Sequence, residues 1–192
     1  MWLALAAGVV AAVVVIVTTG GTSKHHTLAQ GSPLASAATA ATGQPVDGIQ
    51  CQTTEQVLFH IHAHLAVVVN GVQRGVPLGI GIPGAQEEQT SSGPFVVSGR
   101  CFYWLHAHTA DGIIHIESPV QRTYTLGQYF DIWGQPLSAT RVGPANGAVI
   151  AYVNGKRRTG NPRSIPLSAH AVIQLDVGKN VAPQPYTFAA GL

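Results

Sequence analysis

Histidine is concentrated in two short runs, Phe59-His60-Ile61-His62-Ala63-His64 and Leu105-His106-Ala107-His108, with His115-Ile116-Glu117 close behind. Six of the nine histidines therefore sit at alternating positions inside apolar stretches. In a β-strand that period places every imidazole of a run on one face. Neutral imidazole is a ligand for zinc, copper, iron and nickel, so a face carrying several of them predicts a transition-metal site. The bland alternative is a set of solvated or hydrogen-bonded histidines. Six in register weigh against it, because unliganded imidazoles crowded together repel as they protonate below about pH 6.5.

The segment Thr109-Ala110-Asp111-Gly112 joins the last two histidine groups, and Asp-Gly is a preferred two-residue hairpin turn. With Asp111 and Gly112 as the loop, His108 faces His115 and His106 faces Glu117. With a four-residue loop, His106 faces His115 and His108 faces Ile113. Both registers leave His106, His108, His115 and Glu117 on one face, and Tyr103, Leu105, Ala107, Ile114 and Ile116 on the other. His106, His108 and His115 are the first ligand candidates, then His62 and His64, then His60. The run at 60–64 joins the site only if its strand lies beside the hairpin. Glu117 is a ligand, an acceptor orienting a histidine, or a general base.

These residues support three functions. One is a protein that buffers or delivers copper or zinc, exchanging the ion with a donor or acceptor protein. Another is a metalloenzyme with three histidines on one ion, Glu117 as its base, and Phe102 and Trp104 shaping a pocket. A third is a non-catalytic interaction module switched by pH. No phosphate-binding loop or dinucleotide fingerprint accompanies them; Gly79, Gly81 and Gly84 mark a loop.

The two cysteines, Cys51 and Cys101, each precede a histidine run. In an exported protein they most simply pair, and closing a loop of that length stabilises by roughly 3–4 kcal/mol in the chain-entropy model. Thiolate ligation is the competing option, but a blue-copper set lacks its methionine, since Met1 stands alone.

The elements that must position these groups read as mainly β with one short helix, with α+β as the other description. Val57 to Asn70, Phe95 to Val97, Cys101 to His108, Ile113 to Glu117, Val149 to Asn154 and Ala171 to Val177 are strand candidates. Thr125 caps a helix running to Trp133, whose Leu126, Tyr129, Phe130 and Trp133 face the core. Ala66 to Arg74 is echoed by Ile150 to Arg158, each around an Asn-Gly turn. Antiparallel hairpins flanking one helix suggest two related β units of β-grasp-like shape.

Residues 51–192 make one domain, 19–50 read as a flexible tether rich in small and polar residues, and 1–18 as a membrane anchor or signal segment. The uncharged run from Trp2 to Val17 favours an uncleaved anchor, and cysteine pairing favours an extracytoplasmic location. Only 9% of residues are charged and the net charge is +2, with one basic cluster at Lys156-Arg157-Arg158. That pattern predicts no nucleic-acid partner. His170, alone before a strand, reads as structural.

Overall fold

A computed structural model of the chain describes residues 28–192. The apolar run at 2–17, His25 and His26 lie outside the described residues. The domain is a mixed β-sheet with one helix across its apolar face, and the strand pattern follows from alternation. In β2 (Phe59–Val69), Phe59, Ile61, Ala63, Leu65, Val67 and Val69 turn inward, while His60, His62 and His64 turn to the other side.

Around β2 the order is β1 (Ala29–Pro33), β3 (Val72–Gly75), β2, then β10 (Ala171–Val177), β8 (Val149–Val153) and β9 (Lys156–Arg158). The two Asn-Gly motifs form the expected hairpins. Asn70 and Gly71 have φ of 52° and 90°, and Asn154 and Gly155 have 50° and 74°, as a primed two-residue turn requires. The repeated hairpins flank β10, which runs parallel to β2 and antiparallel to β8. Asn70 donates its N–H to the carbonyl of Val177, and Asn154 donates to that of Val172, so each turn fastens one end of the central strand. The parallel pair β2 and β10 at the centre, with one antiparallel Asn-Gly hairpin on each side, gives a β-grasp-like order. The basic cluster lies on β9, an exposed edge, where charge discourages further strand pairing.

The helix α1 (Leu126–Trp133) starts where the sequence predicts. Thr125 Oγ1 accepts from the Gln128 N–H, and the Gln128 side chain accepts from the Thr125 N–H, a reciprocal cap. Gly134 ends it at φ 69°, a left-handed conformation that glycine adopts without a Cβ clash. Leu126, Tyr129, Phe130 and Trp133 are fully buried against the sheet. Burial of each such side chain stabilises by about 1.5–3 kcal/mol.

Two findings differ from expectation. Residues 29–33 of the expected tether pair in parallel with β3, and Leu34 and Ile49 join the core. The few apolar side chains of that polar stretch, together with a bond from the Trp133 indole to the Ser36 carbonyl, hold it down. An additional hairpin, β4 (Gln86–Thr90) and β5 (Gly93–Ser98), has no apolar alternation in its first strand because that strand is exposed throughout.

Candidate metal centre

The site is built by an insertion between β3 and α1. It contributes β6 (Leu105–His106) and β7 (Ile113–Ser118), and β7 pairs with the amino-terminal half of β2. β3 occupies only the last three residues of that edge, so the long strand offers its free half to the insertion. The adjacency assumed for the two histidine runs is thus present. His62 lies opposite His115, His60 opposite Glu117, and His106 opposite His115 from the other side. Three neighbouring strands therefore carry a row of imidazoles, His62, His115 and His106, across one face.

The register is that of the four-residue loop, and it lasts only two residues. Asp111 accepts from the Thr109 hydroxyl and from the Ile113 N–H, closing a turn of its own. Beyond His106 the strand leaves β7: Ala107 bonds to Gly79 and Ile80, and the His108 carbonyl accepts from the Val96 N–H. Gly112 makes the docking possible. At φ 87° its carbonyl accepts from the Leu65 N–H, and a Cβ there would sit 2.4 Å from the Leu65 oxygen. The opposite face carries Tyr103, Leu105, Ala107, Ile114 and Ile116, all fully buried.

Five of the six predicted histidines converge. His60 Nε2 is 3.1 Å from His62 Nε2, which is 3.2 Å from His115 Nδ1. His106 Nε2 is 3.1 Å from His108 Nε2. Nitrogens bound to one ion at about 2.0–2.1 Å stand at nearly this separation when the coordination is tetrahedral. Glu117 Oε1 lies 3.1 Å from His60 Nε2 and 3.2 Å from His115 Nδ1, and Oε2 lies 3.9 Å from His106 Nε2. The cluster is largely dry: His62, His106, His108 and Glu117 are buried, while His60 is the exposed member.

Two tautomers follow from neighbouring carbonyls, which can only accept. His106 Nδ1 donates to the Tyr103 carbonyl at 2.8 Å, and His108 Nδ1 donates to the Val96 carbonyl at 2.6 Å. Both rings thus present an unprotonated Nε2 to the cluster, the orientation seen when a second bond fixes a ligand histidine. Burial keeps these rings neutral. It pushes the His106 imidazolium down to about 3, against the pull of Glu117 and the Tyr103 carbonyl, and His62 down to about 4. Burial would raise the Glu117 carboxyl, but the hydrogen bond from His115 and the surrounding imidazoles reverse this and hold it at about 2.

His64 stands apart. Its Nε2 donates to the Asp111 carbonyl at 3.1 Å and its ring stacks on Tyr186, with centroids 3.6 Å apart, so it braces the turn. His170 stacks on Phe188 and bonds the Leu192 carbonyl. Phe102 packs with Ile82 and Val96 and edge-on against His106, with ring centroids 5.7 Å apart, and the Trp104 indole donates to Gln52. Glu55 escaped the sequence reading: its Oε1 lies 3.2 Å from His108 Nε2. The available signal was its place four residues after Cys51, because the Cys51–Cys101 disulfide ties that loop to the strand of His106 and His108. With both cysteines paired, neither supplies a thiolate, and a disulfide points to an oxidising, extracytoplasmic compartment.

No family model matches the chain, and no curated protein or solved structure matches it. Among the described residues, the histidine and glutamate groups of this cluster could hold a metal ion.

Proposed function

We propose that the chain is an extracytoplasmic protein that binds a transition metal, copper or zinc, to buffer it or pass it to a partner protein. A membrane tether through residues 2–17 would keep it at its surface of action. The observation that carries the proposal is the His106–His108 contact. Both Nδ1 protons are committed to backbone carbonyls, so two lone pairs face each other 3.1 Å apart. A cation between them converts that repulsion into two bonds. His106, His108, His115, His62 and His60 are the proposed ligands, and Glu117, packed among imidazoles, serves as a ligand rather than a free base. Imidazole with carboxylate suits zinc or copper better than magnesium or calcium.

Exchange is supported on the His60 side. An opening of about 270 Å³, lined by His60, His62, Ala169, His170 and Leu192 among others, lies at this end of the cluster and would give an ion and a partner's ligand a way in. Changing His106 and His108 together to alanine should abolish the zinc binding that depends on those two rings, read as a loss of bound zinc in competition with a chromophoric chelator. Unchanged zinc binding would remove the proposal's main support.

A further inference from the structure

We propose that the cluster is a two-ion centre in which Glu117 places one carboxylate oxygen on each ion. This rests on the metal-binding function proposed above and specifies its architecture. The donors outnumber what one ion takes: five imidazoles and two carboxylates converge, against four ligands in a tetrahedral site. They also divide in space. Donor atoms within 4.8 Å of one another form the sets His60, His62, His115 and Glu117; His106, His108 and His115; and Glu55, His106 and Glu117. His60 and His62 lie on one side, and His106, His108 and Glu55 on the other. His115 and Glu117 belong to both.

Glu117 shows the division atom by atom. Its Oε1 is engaged by His60 and His115, whereas its Oε2 is buried and has no hydrogen-bond partner. Leaving such an oxygen bare inside a protein is unfavourable, more so when it is charged. The nearest basic group to it on the second side is His106 Nε2, at 3.9 Å and with its lone pair free. An ion held by His106, His108 and Glu55 satisfies that oxygen, while a first ion sits among His60, His62, His115 and Oε1. Carboxylates spanning two ions in this way are the usual device of two-metal sites. Glu55, exposed on the loop after Cys51, lies 3.2 Å from His108 Nε2 and completes the second set.

The test is titration of the metal-free full-length chain, purified without a polyhistidine tag, with cobalt(II). Two ions per chain should bind. The electron paramagnetic resonance signal should rise to one equivalent and then fall as the second ion couples to the first through the carboxylate. A signal that grows linearly to two equivalents would show two unbridged ions and overturn the proposal. Replacement of His60 and His62 by alanine should leave one ion per chain, and replacement of His106 and His108 should likewise leave one, with circular dichroism confirming the fold. One ion in the parent, lost in either variant, would overturn the two-ion arrangement while sparing the metal-binding function. No bound ion in the parent would overturn both.

Discussion

His62 and His115 face each other directly across β2 and β7, their ring nitrogens 3.2 Å apart and their rings nearly perpendicular. The two residues are separated by more than fifty positions in the chain, so the contact depends on the insertion docking on the free half of β2. Everything in the candidate centre depends on that pairing being held in register.

Gly112 is the residue that sets the register, and its replacement separates docking from folding. Gly112→Ala places a Cβ 2.4 Å from the Leu65 carbonyl oxygen, whereas the same change at Gly155, also at positive φ, meets open space. Gly155→Ala should cost about 1–2 kcal/mol, the left-handed penalty alone. Gly112→Ala should cost clearly more in urea unfolding and should reduce zinc affinity. Equal costs would show that the turn tolerates displacement.

Acid should destabilise the metal-free domain. His62 and His64 are depressed to about 4 and His106 to about 3, chiefly by burial, from an unfolded value near 6.5. The unfolded chain therefore binds more protons between those limits, so stability is complete above pH 6.5 and falls as pH drops toward 4 and then 3. Urea midpoints of the metal-free chain should decline from pH 7.5 to 5. A flat profile would mean that these rings are solvated.

Reduction should loosen the domain and, with it, the Glu55 loop. Cys51 and Cys101 close a loop spanning 50 positions, and their paired change to serine should cost roughly 3–4 kcal/mol. The more telling readout is zinc affinity, which should fall because Glu55 is no longer held near His108. Unaltered affinity would place Glu55 outside the ligand set.

Much of the fold follows from alternation and turn chemistry. The Asn-Gly turns, the Thr125 cap and the histidine run at 60–64 are local signals, and each marks its element correctly, whereas the strand expected from Cys101 to His108 is broken at Trp104 and ends at His106. The docking of β7 on β2 is a contact between distant segments, and nothing near His60 or His115 announces it. Glu55 was missed for the same reason: a lone glutamate in a polar loop becomes informative only once the disulfide brings it to His108. His64 shares the run's period but not its fate, because Gly112 brings the Asp111 carbonyl within its reach and Tyr186 covers its ring. Strand β1 carries no apolar alternation, and it is held to β3 by parallel pairing and by the Arg74 side chain on Ser32.

The most direct measurement is elemental analysis of the untagged full-length chain, recovered from an oxidising compartment and dialysed against zinc or copper, then against buffer. A stoichiometric retained ion is the predicted result, with thermal unfolding moved upward by about 5–10 °C when free metal stands near 100 times its dissociation constant. A chain that retains no metal and unfolds at the same temperature with and without it would contradict the central claim.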